Sequence, residues 1–131
     1  IPLTPARLKW RGYNQTELLA RVVSEKSGIP LDTTTLIKEK DTDSQATLNL
    51  QERRKNLSSS FKVTDKNTIK GKRILLIDDV MTTGSTANAC ANVLKKSSAE
   101  RVFIITIAHG KVDLPLQSNL NNAEKVIKSV K

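Results

Sequence analysis

Two continuous apolar runs, Ile74-Leu75-Leu76-Ile77 and Val102 to Ile107, flank one amphipathic stretch, and this arrangement leaves few folds open. A strand with one wet face alternates polar and apolar residues, whereas an unbroken run implies burial on both faces, as in a parallel sheet covered by helices. Arg73 to Asp78 is therefore predicted to be a buried parallel strand. Between the runs, Ala87, Cys90, Ala91 and Leu94 recur at helical spacing, which predicts a helix that starts just after Gly84 and ends near Ser97. Strand, helix and strand in that order make a right-handed βαβ unit with a parallel sheet.

The rest of the chain is less insistent. Ile1-Pro2-Leu3 reads as the end of a strand, and Thr4 to Tyr13 as a loop that carries Arg7, Lys9 and Arg11 without any acid. Asn14 stands three residues before Glu17 as an N-cap with a box-like partner. Leu18, Leu19, Val22 and Val23 then follow at helical spacing until Gly28 ends the helix. Leu36-Ile37 predicts a short strand, Lys40 to Leu48 a polar loop, and Gln51 to Leu57 a basic helical turn. Phe61 and Val63 alternate as in a strand, Asn67 to Lys72 turns the chain, and a weak helix closes it near Ala123 to Val130.

With 131 residues, 37% of them apolar, residues 1–131 read as one domain with one core. Because the chain opens at Ile1 within a strand-like segment, it is expected to be a fragment of a longer protein. Only 3% of residues are aromatic, so the core must be aliphatic, and the lone Cys90 reads as a small buried hydrophobe in a reducing, cytoplasmic protein. No apolar run is long enough for a membrane helix, so membrane insertion is not expected. Twenty-two Lys and Arg against thirteen Asp and Glu give a net charge of +9, which favours a polyanionic ligand without saying which.

The segment Ile74 to Thr86 narrows that choice. A buried strand delivers Asp78 and Asp79 to its C-terminal end, and Thr82-Thr83-Gly84-Ser85-Thr86 then opens a helix. In open α/β sheets ligands bind at that edge, and a helix N-terminus offers unpaired N–H groups and a positive dipole end to a phosphate. The hydroxyls of Thr82, Thr83, Ser85 and Thr86 add donors, and Gly84 permits close backbone approach. Two carboxylates beside a phosphate make sense if the ligand also carries sugar hydroxyls, and they favour a hard cation such as Mg²⁺ carried in by a pyrophosphate. Neither the P-loop spacing nor the Gly-x-Gly-x-x-Gly spacing of other nucleotide sites is present.

Ile74 to Thr86 resembles the phosphoribosyl pyrophosphate signature of type I phosphoribosyltransferases along its whole length. Arg11-Gly12-Tyr13-Asn14-Gln15, with the spaced set Thr42, Gln45, Leu48, Arg53, Asn56, Leu57 and Phe61, resembles the ComF family, which is associated with DNA uptake in competent bacteria. The resemblance implies an α/β fold of the type I phosphoribosyltransferase kind: a mostly parallel sheet flanked by helices, with the hood and the N-terminal zinc module of full-length relatives absent or truncated. It implies that Thr82 to Thr86 hold the ribose 5-phosphate, and that Asp78 and Asp79 are the catalytic carboxylates that hold the ribose hydroxyls and meet Mg²⁺ through the ligand. Lys40 to Leu57 would take the place of the loop that covers the site, with Arg7, Arg11, Arg53 and Arg54 as the groups placed to meet pyrophosphate. Purine-salvage members carry an Asp where this chain has Thr82, so transfer to a purine base is disfavoured.

Two functions follow as expectations. One is a Mg²⁺-dependent protein that binds phosphoribosyl pyrophosphate, or another phosphorylated ribose, and transfers the phosphoribosyl group to an unspecified acceptor. The other is a ComF-like competence factor that handles single-stranded DNA or a protein partner; an oligomer is compatible with both. His109 reads as an incidental loop histidine. Trp10 and Tyr13 flank basic residues, as stacking residues do in single-strand binders, but their expected role is packing against the domain.

Overall fold

The computed structural model describes residues 1–41 and 56–110. Helix α1 spans Pro5–Arg11, α2 Gln15–Ser27, and strand β1 Leu36–Lys38; β2 (Phe61–Val63) and β3 (Arg73–Met81) follow, then α3 (Ser85–Lys96) and β4 (Arg101–His109). The segments read as Lys40–Leu48, Gln51–Leu57 and Ala123–Val130 lie wholly or largely outside the described residues.

The predicted βαβ unit is present. β3 and β4 pair in parallel from Arg73↔Arg101 to Met81↔His109, with α3 as the crossover. The start of the unit is locked where the chain returns: Gly71 donates its N–H to the Ser98 carbonyl (2.9 Å), and Glu100 donates to the Lys72 carbonyl (2.9 Å). β1 and β2 form a separate antiparallel pair, with Lys38 opposite Phe61. β2 is one-faced: Phe61 and Val63 are buried and Lys62 is exposed. Its two apolar side chains join Ile69, Leu76, Ala89, Cys90, Leu94 and Ala99 in one core, so α3 is clamped between β2 and the parallel pair.

Cys90 is fully buried there, and loss of hydration pushes its thiol up to about 12. It behaves as the small hydrophobe that the sequence suggested. The α3 stripe is shifted by a little: Ala89 is buried, whereas Ala91 is only half-buried. β4 is also wetter than its apolar run suggests, with Val102 to Thr106 half-buried and Ile107 exposed, because among the described residues β4 has a single strand neighbour.

The N-terminal segment departs from the sequence reading. Thr4 to Tyr13 is not a loop, since Pro5–Arg11 is helical. The local signals are sound: Thr4 caps the helix by accepting the Arg7 N–H at 3.3 Å, Pro5 occupies the first turn, and Gly12 ends it at φ 82°. None of its residues is buried, so it shows no apolar period, and periodicity is what the reading relied on. Residues 1–3 are irregular rather than the end of a strand, and the Ile1 nitrogen donates to the Ile77 carbonyl of β3 at 2.6 Å.

Helix α2 keeps its expected bounds. Asn14 accepts the Thr16 N–H at 3.1 Å and Gly28 closes the helix at φ 72°. Glu17 does not complete a capping box in the way anticipated; it accepts from Arg21 at 2.6 Å one turn on. Leu18 and Val22 are 53% and 49% exposed, so only half of the expected apolar stripe, Leu19 and Val23, turns inward. Among the described residues no helix is long and apolar enough to cross a membrane.

Candidate functional site

The site is assembled by one strand end, one three-residue loop and one helix start. β3 carries Asp78 and Asp79, both half-buried, to the C-terminal edge of the parallel pair. Thr82, Thr83 and Gly84 then turn the chain into α3. The turn depends on Gly84 at φ 71°, a left-handed conformation that L side chains resist. As the N-cap residue, Gly84 supplies no side-chain acceptor to the first turn of α3.

Hydroxyls line this opening. Thr83 Oγ1 lies 2.8 Å from Ser85 Oγ and accepts the Ser85 N–H at 3.3 Å, which holds the two hydroxyls side by side. Thr82, Thr83 and Ser85 are exposed and Thr86 is half-buried. An array of donors at the positive end of a twelve-residue helix is chemically a seat for a phosphate.

The carboxylates differ. Asp78 is half-buried, and burial raises its pKa, with the neighbouring Asp79 adding to the rise. Asp79 accepts the N–H of Val80 at 2.9 Å, which fixes its carboxylate near its own backbone. Among the described residues no group of three or more His, Cys, Asp and Glu side chains converges on a metal position. Two adjacent carboxylates can chemically meet a hard cation such as Mg²⁺ that arrives on a phosphate ligand.

One neighbour was missed by sequence reasoning. Gly110 donates its N–H to the Met81 carbonyl at 2.9 Å, and a Cβ built on it would meet Thr82 Cγ2 at 2.8 Å. The signal available was a glycine directly after a β-strand end, which is weak alone. His109, read from the sequence as a loop histidine, is instead the last residue of β4, paired with Met81, with Nδ1 2.8 Å from the Gly110 carbonyl. Gly110→Ala is expected to displace Thr82 and weaken phosphate-ligand binding by roughly tenfold, with stability changed by less than about 1 kcal/mol. Ligand titration together with urea unfolding of that variant checks both halves.

Of the basic candidates, Arg7 and Arg11 have local partners. Arg7 pairs with Asp41 at 3.1 Å, and Thr4 donates to the same carboxylate at 2.9 Å. Arg11 donates to Gln15 at 2.8 Å. With Leu3 and Trp10, these arginines line a shallow cleft of about 220 Å³; no hydrogen bond or ion pair joins them to Asp78–Thr86. Arg53 and Arg54 lie outside the described residues.

A parallel βαβ unit whose first strand ends in paired acids, and whose helix opens through a glycine-turned hydroxyl loop, defines a phosphoribosyltransferase-like domain. Residues 11–125 match the family model described as phosphoribosyl transferase domain, and the chain belongs to that family. Its relatives place it in the ComF branch. It is 36% identical over 109 residues to Competence protein F of Haemophilus influenzae, covering 82% of this chain and 48% of the relative. It is 36% identical over 108 residues to Competence protein ComFC of Bacillus subtilis, covering 82% and 42%. With the DNA utilization protein YhgH of Escherichia coli the identity is 30% over 104 residues, covering 79% and 45%. The chain thus spans less than half the length of these relatives.

Proposed function

We propose that the chain binds phosphoribosyl pyrophosphate together with Mg²⁺, transfers the phosphoribosyl group to an acceptor, and serves DNA uptake in the cytoplasm. The observation that carries the ligand is the junction of β3 and α3, where paired carboxylates stand beside a helix start ringed by hydroxyls. The setting in DNA uptake rests on the relatives named for competence and DNA utilization.

In this reading Thr82 to Thr86 hold the 5-phosphate through hydroxyls and first-turn N–H groups. Asp78 and Asp79 accept hydrogen bonds from the ribose hydroxyls. Their charge also opposes the positive charge that grows on the sugar as the anomeric bond to pyrophosphate breaks. Mg²⁺, when bound with the ligand, neutralises the leaving pyrophosphate. The half-burial of Asp78 keeps part of that contact away from water, where electrostatic interactions are stronger.

Calorimetric titration of phosphoribosyl pyrophosphate, with and without Mg²⁺, tests the proposal. Saturable binding that requires the ion is expected, and the affinity should exceed that for ribose 5-phosphate. Absence of saturable binding in both conditions would overturn the reading.

A further inference from the structure

Transfer of a phosphoribosyl group to a hydroxyl or to a ring N–H releases a proton, and none of the groups that hold the ribose and its phosphate is free to take it. Asp78 and Asp79 are engaged by the ribose hydroxyls in the reading above, and the hydroxyls of Thr82, Thr83, Ser85 and Thr86 stay protonated near neutral pH. The end of β4 supplies a group that can accept it. β3 and β4 keep their register to the edge of the sheet, with Val80 beside Ala108 and Met81 beside His109, and the Gly110 N–H then donates to the Met81 carbonyl at 2.9 Å. The strand partner of His109 thus directly precedes Thr82, the first residue of the loop that opens α3. Gly110 approaches Thr82 so closely that a Cβ there would meet Thr82 Cγ2 at 2.8 Å, so no side chain fits between them. His109, the single histidine of the chain, is the last side chain that β4 presents at this edge.

The imidazole is oriented by its own backbone. Nδ1 lies 2.8 Å from the Gly110 carbonyl, and a carbonyl oxygen only accepts, so Nδ1 carries the hydrogen. In the neutral ring this leaves a lone pair on Nε2. Among the described residues no hydrogen bond or ion pair engages Nε2, and the side chain is exposed. Its neighbours on the two strand ends, Val80, Met81, Ile107 and Ala108, carry no charge, and the nearest acids along β3 are Asp78 and Asp79.

We propose that His109 is the base of the transfer step. Nε2 receives the proton of the acceptor's O–H or N–H while that atom bonds to the anomeric carbon and the bond from this carbon to the pyrophosphate oxygen breaks. The electron pair of the broken bond leaves with pyrophosphate. The proton stays on the imidazolium, whose Nδ1–H keeps the Gly110 carbonyl, until water removes it. The acceptor is accordingly a protic nucleophile and not an anion that arrives without a proton. This inference rests on the phosphoribose reading, and ligand titration tells the failure of one from the failure of the other.

Release of pyrophosphate from phosphoribosyl pyrophosphate and Mg²⁺ reads the step, with water as the protic acceptor and azide as an acceptor that attacks carbon with no proton to lose. His109→Ala and His109→Gln should slow release into water by roughly 10²- to 10⁴-fold, the range of general-base catalysis. Sodium azide should bring both variants to within about tenfold of the azide-treated parent, with ribosyl azide 5-phosphate as the product. In calorimetry both variants should bind phosphoribosyl pyrophosphate within about threefold of the parent, since His109 meets the acceptor and not the phosphoribose. The assignment is overturned if the variants release pyrophosphate into water as the parent does, if azide fails to rescue variants that still bind the ligand, or if the parent releases none into water. A parent that does not bind phosphoribosyl pyrophosphate would remove the phosphoribose reading and the base together; normal binding without rescue would remove the base alone.

Discussion

The Asp78→Asn, Asp79→Asn double variant should lose phosphoribosyl pyrophosphate affinity by roughly 10²- to 10⁴-fold while remaining folded. The magnitude follows from removing two charged acceptors, since hydrogen bonds to charged groups contribute about 1.5–3 kcal/mol each. Asn retains the shape of Asp, so packing at the end of β3 is conserved and the loss reads out charge. The same substitutions separate binding from stability. Burial raises the pKa of Asp78 above its ordinary value, so in the intervening pH range the folded state holds a proton that the unfolded chain has released. Stability contributed by this group is therefore highest below the ordinary Asp value and falls as pH rises through the folded value. At neutral pH the parent protein carries the full cost of an ionised, half-buried carboxylate. Asp78→Asn alone should accordingly raise the midpoint of thermal unfolding at pH 7, and the gain should shrink as the pH is lowered into the acid range. A variant that binds the ligand as the parent does would detach Asp78 and Asp79 from the site. One that loses stability at pH 7 would mean that the carboxylate has a structural partner.

What sequence patterns disclosed here tracks how locally each feature is encoded. The βαβ unit was legible because burial on both faces writes itself as unbroken apolar runs, and because Gly84 and Ser97 bracket a helix whose stripe includes Ala87, Cys90 and Leu94. The candidate site was legible for the same reason: Asp78 to Thr86 is contiguous, so chain order and spatial order coincide. α1 was missed because an exposed helix has no buried stripe, although the Thr4-Pro5 start and the Gly12 stop were both present. The exposure of Trp10 could not be read at all, since the same aromatic-basic pattern serves a packed loop and a bare platform equally well. Contacts between distant segments were likewise invisible. Nothing in the sequence ties Thr4 and Arg7 to Asp41, or sets Gly110 against Thr82, because each pair is brought together only by tertiary structure.

Gly84 is where chain geometry and ligand chemistry meet, and its substitutions should separate them. In the sequence the glycine reads as permitting close approach of backbone and phosphate. The left-handed φ of 71° adds a second demand. A Cβ at this position would find Met81 Sδ at 3.6 Å and Asn88 Nδ2 at 3.8 Å, both ordinary contacts, so the obstacle is the backbone and not space. An L residue held there costs about 1–2 kcal/mol, and a β-branched one more. Gly84→Val is thus expected to lower stability by about 2 kcal/mol in urea unfolding and to weaken phosphoribosyl pyrophosphate by at least about 100-fold. Relief of the strain would rotate the residue out of the left-handed region and swing Thr83 and Ser85 apart. Gly84→Asn is the discriminating companion, since Asn tolerates the left-handed region better than other L residues. It should retain stability to within about 1 kcal/mol, yet lose ligand affinity at least about tenfold, because its side chain occupies the approach to the first turn of α3. Parent-like affinity in Gly84→Asn would assign the glycine to backbone conformation alone and move the phosphate away from the Gly84 backbone, toward the hydroxyls of Thr82, Thr83 and Ser85.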